Sequence, residues 1–176
     1  MKTKAEQGDK DLDLSDREAI SKLKELIKHN SICMFVTHLD DAPLETRPMS
    51  VAEVDDQGNF WFLSGRSTKK NMDISDDPHV QLFFANTSDQ EYLTVYGEAT
   101  EIINDKERIK ELWNPIAKAW FPEGVDDPDL SLLKVEPFDA YYWDTKNGKM
   151  ISMIKILASA VTGKTMEEGV RGKLKV

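Results

Sequence analysis

The sequence predicts a mainly β protein, an antiparallel barrel or sandwich with peripheral helices. Three observations point there. Six segments with strand character are separated by clusters of turn-forming residues. Hairpin-length turns join the first three, too short for the crossover that parallel neighbours need. Helical patterns occur singly, before, within and after the strand series, not in strand–helix alternation.

The elements follow in order. Residues 1–13 are polar and charged and read as a disordered tail; residues 14–163 read as one domain, which suits a chain of 176 residues. Ser15 and Glu18 form a capping-box pattern, and Ile20, Leu23, Leu26 and Ile27 recur at helical spacing, so a helix is expected to about His29. SICMFVTHL is the first strand, DDAP a turn, LETRPMSVAEV the second strand, DDQGN a turn and FWFLS the third strand. A short helix capped by Ser67 or Thr68 is expected next, with Met72 and Ile74 inward. HVQLFFANT and YLTVYGEATEII are the fourth and fifth strands. Asn104 and Glu107 suggest another cap, opening a helix whose apolar face is Ile109, Leu112, Trp113, Ile116 and Trp120, broken or kinked at Pro115. FPEGVDDPDLS is a loop and LLKVEPFDAYYWDT the sixth strand. KMISMIKILASAV reads as a buried helix ended by Gly163, and residues 164–176 as a flexible tail.

Composition excludes several functions. A formal net charge of -9 argues against a general nucleic-acid or anionic-membrane binder. No run approaches the ~18 apolar residues of a membrane span, and no signal-peptide pattern opens the chain, so a cytoplasmic protein is expected. The one cysteine, Cys33, sits in a strand-like core segment and reads as a buried, inert thiol. His29, His38 and His79 lack metal-site spacing, so no metal is expected.

One stretch departs from the acidic background. SGRSTKKN, residues 64–71, places Arg66, Lys69 and Lys70 among hydroxyls at an expected helix start. Such groups suit a phosphate, though a solvated lysine loop has the same composition. Arg47 lies mid-strand in ETRPMS and needs a partner if buried; on an edge strand it can face water instead. Pro48 points to an edge or a bulge. Trp61, Phe62, Tyr92 and residues Tyr141 to Trp143 add aromatic walls of the kind a flat ring system needs, although most strand aromatics are core.

In order, RPMS, WFLSGRSTKK, YLTVYGEA, LWNP with WFPEGVDDP, and YYWD resemble the FMN-binding split barrel of the pyridoxamine 5′-phosphate oxidase type, in its bacterial general stress protein branch. The likeness runs over residues 16 to 163. It implies a six-stranded antiparallel split barrel, a homodimer, and FMN at the subunit interface. It also implies that Arg47, Pro48, Met49 and Ser50 run beside the flavin, that Phe62 and Leu63 line the site, and that Ser67, Thr68, Lys69 and Lys70 hold the phosphate. Tyr92 would meet the flavin from the partner subunit, and Trp143 would lie near it. DTKNGKMI after Trp143 lacks the arginine–histidine motif of the true oxidases, so vitamin-B6 oxidation is not implied. Thr68 stands where the oxidases commonly carry an arginine. The functions compatible with these features are an FMN-dependent oxidoreductase linked to stress, with no catalytic residue identified, a non-catalytic flavin-binding or flavin-buffering protein, and a split barrel using haem or F420.

Overall fold

The computed structural model describes residues 14–144 and 170–175. The elements are β1 (Leu14–Ser15), α1 (Asp16–His29), β2 (Ile32–Thr37), β3 (Glu45–Ser50), β4 (Glu53–Val54), β5 (Phe60–Gly65), α2 (Lys69–Asp76), β6 (His79–Asn86), β7 (Glu91–Ile102), α3 (Lys106–Leu112), β8 (Leu130–Asp144) and β9 (Val170–Lys175). Short 3-10 turns occupy Pro115–Ala119 and Gly124–Asp126. The expected helix over KMISMIKILASAV and the tail 1–13 lie outside the described residues.

The strands curl into a half-barrel in the order β3-β2-β6-β7-β8. Their neighbours are all antiparallel, as the short turns require. β8 changes partner along its length. Leu130 to Val135 pair with β5, and Ala140 to Asp144 pair with β9. Among the described residues β3 pairs on one side only, which gives Pro48 the edge position it needs. Among the described residues, seven strands reach six residues or more, not the expected six. The seventh, β9, falls within the stretch expected as a tail. VRGKLK carries a glycine and three cations, so propensity alone gives it little strand signal, and the free edge of β8 supplies the pairing.

Alternation places the core. On β7, Leu93, Val95, Gly97 and Ala99 are buried while Thr94, Tyr96 and Glu98 are partly exposed. α1 closes the barrel with Ala19, Leu23, Leu26 and Ile27, which pack with Phe35, Phe60, Phe62 and Leu82. Cys33 joins this core, and burial pushes its thiol up to about 12, so the inert reading holds. A smaller core gathers Ile109, Leu112, Phe121, Leu130 and Leu132, with Trp61, Leu63 and Trp113 against it.

Three local expectations need correction. Met72 is exposed, because α2 turns Lys70, Asn71, Asp73 and Ile74 inward. α3 is capped by Asp105, whose carboxylate accepts from the Arg108 N–H at 3.0 Å; Asn104 sits before it at φ 67°. Pro115 stops the helical face at Leu112, leaving Ile116 and Trp120 each 71% exposed on the following turn. Among the described residues no helix is long and apolar enough to cross a membrane.

Gly97 sits where β7 and β8 approach closely. A Cβ there would lie 2.2 Å from the Glu136 carbonyl oxygen, beside the register shift between β7 and β8. Gly97→Ala is therefore expected to cost about 3 kcal/mol or more in urea unfolding. Gly124→Ala, at φ +73° with nothing within 4 Å, should cost only about 1 kcal/mol. Equal losses would mean that the bulge yields freely.

Candidate functional site

The cationic stretch is built by the loop from β5 into α2. Gly65 ends β5 against Asp129, whose side chain would lie 2.8 Å from an added Cβ. Asp129 then holds the loop. Its backbone carbonyl accepts from the Arg66 N–H at 2.7 Å, and its carboxylate accepts from the Ser67 N–H at 2.8 Å and the Ser67 hydroxyl at 3.1 Å. Thr68 occupies the N-cap position of α2 but makes no side-chain cap; its hydroxyl donates to the Gly65 carbonyl at 2.7 Å. Arg66 is exposed on this loop.

α2 docks through polar side chains. Asp73, 4% exposed, is the centre of one network. Its carboxylate accepts from the Thr37 hydroxyl at 2.8 Å, from Lys69 Nζ at 3.0 Å and from Arg47 Nη2 at 3.5 Å. His38 Nε2 lies 3.1 Å from its other side, and His38 reaches it from a left-handed backbone at φ 53°. Arg47 also donates to the Thr37 hydroxyl at 2.7 Å. Arg47 is thus a partly buried, partnered arginine rather than one facing water. Burial works to raise the Asp73 carboxyl, but hydrogen bonds from Lys69 and Thr37 outweigh it and hold the group below the usual range.

The second network lies on the other side of α2. Glu101 accepts from Asn71 Nδ2 at 2.6 Å and from the Ser131 hydroxyl at 2.7 Å. A carboxylate only accepts, so Asn71 must present its amide nitrogen to Glu101 and its oxygen to the interior. That oxygen accepts from the Ser64 hydroxyl at 2.6 Å and from Lys70 Nζ at 2.8 Å. Lys70 also donates to Ser64 Oγ. Burial pushes the Lys70 ammonium down, the nearby Arg47 charge pushes it further, and the result is about 8. Lys69 differs: it is exposed, and hydrogen bonds to Asp73 and to Glu45 (3.2 Å) hold its ammonium above the usual value. The two adjacent lysines therefore meet different fates on one turn of helix.

Arg47, Thr68, Lys69 and Lys70 converge here, with Ser67 on the adjoining loop. Other residues singled out in the sequence lie elsewhere. Pro48 is exposed opposite Met34, Met49 packs on the main core, and Ser50 places Oγ 3.4 Å from Ser31 Oγ at the far end of β3. Phe62 is fully buried edge-on to Phe35, with ring centroids 5.4 Å apart, and Leu63 packs on the smaller core. Tyr92 and Trp143 face each other across β7 and β8, each 39% exposed. Through Ala85 they share a row with Ile32, at the opposite end of β2 from Thr37. Five residues of strand separate the two positions, about 16 Å. Within one chain the aromatic pair and the cations are not brought together.

Sequence reading missed Asp73, Asn71, Thr37, His38 and Glu101. One signal was available: Lys69 and Asp73 stand four residues apart, the spacing of a helical ion pair. His29, which had no metal spacing in sequence, bonds Glu91 through Nδ1 at 2.9 Å and ties α1 to β7.

A family model described as pyridoxamine 5′-phosphate oxidase like matches residues 18–167. Protein bli-3 of Neurospora crassa is 23% identical over 168 residues, covering 90% of this chain and 80% of that protein. General stress protein 26 of Bacillus subtilis is 29% identical over 83 residues, 46% of this chain and 58% of that protein. A Jannaschia sp. CCS1 structure named after general stress protein 26 superposes with a TM-score of 0.70 at 23% identity, covering 91% of this chain and 96% of that one. The general stress FMN/FAD binding protein of Xanthomonas citri superposes at 0.62 with 24% identity, covering 74% and 91%. At these identities the superpositions establish the shared fold.

Lys70 generates a prediction about stability. Its folded pKa of about 8 lies below the ordinary lysine value of 10.5. The unfolded chain therefore binds the extra proton between those values, and stability should rise with pH across that window. Lys70→Met removes the cost of the buried charge and should gain on the order of 1–3 kcal/mol at pH 7. The gain should shrink toward pH 10 in urea melts; a pH-independent difference would contradict the depressed ammonium.

Proposed function

The chain belongs to the pyridoxamine 5′-phosphate oxidase-like family, and on that premise we propose that it is a flavin-binding homodimer holding FMN by its phosphate at the α2 cluster. The observation that carries this reading is the convergence of Arg47, Lys69 and Lys70 at one end of the barrel in an acidic protein. The name of the Xanthomonas citri relative, an FMN/FAD binding protein, points to the same ligand.

The residues fit a phosphate. Lys70 is buried beside the Arg47 charge; burial first, and then repulsion from Arg47, depress its ammonium. A dianion arriving between them would relieve that repulsion. The hydroxyls of Ser64, Ser67 and Thr68 lie next to the cations, and each would turn its one O–H from Asn71, Asp129 or the Gly65 carbonyl to donate to a phosphate. Each charge-assisted hydrogen bond is worth about 1.5–3 kcal/mol. Asp73 and Glu45 already engage two of the cations, so the phosphate must share them.

Bound FMN would supply hydride or single-electron transfer, which makes an oxidoreductase of unassigned substrate the activity that this reading favours. The chain's own part is anchoring. Lys70 and Arg47 hold the phosphate charge, Asp73 fixes Arg47 and Lys69 in place, and Met49 and Ser50 present backbone beside the ring.

A homodimer completes the site. The outer face of the half-barrel exposes Ile32, Met34, Phe83, Tyr92, Phe138 and Trp143. Met34, Phe83, Thr94 and Tyr141 stand in one cross-strand row, with Ile32, Tyr92 and Trp143 in the next. So large an apolar face suits a second copy. The partner's aromatic pair would then reach the ring that one chain's cations anchor.

The test is FMN titration followed by flavin fluorescence, with sedimentation for the oligomer. Arg47→Ala with Lys70→Met should weaken binding at least about 100-fold, and Phe83→Asp should give a folded monomer that has lost flavin. Binding favours charged Lys70, so wild-type affinity should fall as pH rises through about 8, while Lys70→Met should show no such step. Unchanged affinity in the double variant would refute the phosphate assignment. A purified protein whose visible spectrum shows a sharp Soret band would replace FMN with haem.

A further inference from the structure

A separate cavity of about 330 Å³ lies where α1 crosses the segment between β3 and β4. Lys24 and Lys28, one helical turn apart, stand at its rim, and Ser31 follows on the same side after the helix ends. Ile27, Val51 and Val54 are buried and form an apolar floor. The size falls at the small end of ligand cavities, which run about 300–1,000 Å³.

The chemistry of the lining is directional. The backbone at the floor is already satisfied: the Val51 N–H donates to the Ser31 carbonyl at 2.8 Å, and the Ala52 N–H to the Trp61 carbonyl at 2.7 Å. Polar recognition therefore falls to the two ammoniums and the Ser31 hydroxyl, all able to donate. Lys24 bonds Asp56 at 2.5 Å, but that carboxylate is 92% exposed, so solvent screens the pair and it exchanges readily. Lys28 is exposed and makes no ion pair among the described residues.

We infer that this cavity binds a small organic anion: one carboxylate or sulfonate between Lys24 and Lys28, with a flat apolar body on Ile27, Val51 and Val54. Ser31 Oγ lies 3.4 Å from Ser50 Oγ, so the occupant sits beside the end of β3, the strand assigned to the flavin above. Occupancy of the cavity does not depend on that assignment.

The probe is naphthalene-1-sulfonate, titrated into the full-length protein and followed by amide shifts in nuclear magnetic resonance. Saturable shifts are expected at Lys24, Lys28, Ser31, Val51 and Ala52. Lys24→Ala with Lys28→Ala should weaken binding at least about tenfold. Ala52→Trp, at an exposed position, should block it, and uncharged 1-methylnaphthalene should bind more weakly than the sulfonate. FMN affinity, measured in the same variants, should stay at the wild-type value, which separates this site from the phosphate cluster. Absent saturation, shifts centred on the outer face at Phe83 and Tyr92, or equal affinity in the variants would overturn the inference.

Discussion

The docking of α2 at one end of this barrel turns on one buried carboxylate. Asp73 draws Thr37, Arg47, His38 and Lys69 to itself and so joins α2 to β2 and β3. A buried ion pair adds little net stability, but removing one member leaves an uncompensated charge, so the arrangement is fixed once it forms. α2 has only Ile74 as a buried apolar side chain; Lys70, Asn71 and Asp73 fill the rest of its inner face. An eight-residue helix docked by polar groups is expensive unless its geometry serves something else.

That geometry explains how an acidic chain gathers three cations in one place. Arg47 and Lys69 are aligned by Asp73, while Lys70 is aimed inward by Asn71, itself oriented by Glu101. The carboxylates moderate the cluster, so an anion meets preplaced donors rather than mobile surface lysines. The aromatic pair at the other end of the strands, Tyr92 and Trp143, lies about 16 Å along the strands from these cations in one chain. In the proposed homodimer, a second subunit would bring the two halves together.

The elements legible in sequence were those whose signal is local. α1 carries a start pattern and a 3.6-residue apolar period, and it ends at His29 as expected. Strands with alternating burial, such as β7, and the edge position of Pro48 followed from similarly local rules. The failures share a cause. Hydrophobic period turned Met72 inward, yet partners on β2, β3 and β7 turned Asp73 and Asn71 inward instead. β9 has little strand propensity and exists through β8. Arg47 and the lysines were visible as charges, but the carboxylates that organise them belong to the tertiary structure.

The most direct measurement of the central claim is a crystal structure of the protein soaked with FMN. The phosphate is expected within hydrogen-bonding distance of Lys70 Nζ and the Arg47 guanidinium, with Asp73 still holding Arg47 and the ring flanked by Tyr92 and Trp143 of the other subunit. A phosphate bound away from α2, with the Asp73 cluster unchanged and solvent around Lys70, would contradict it.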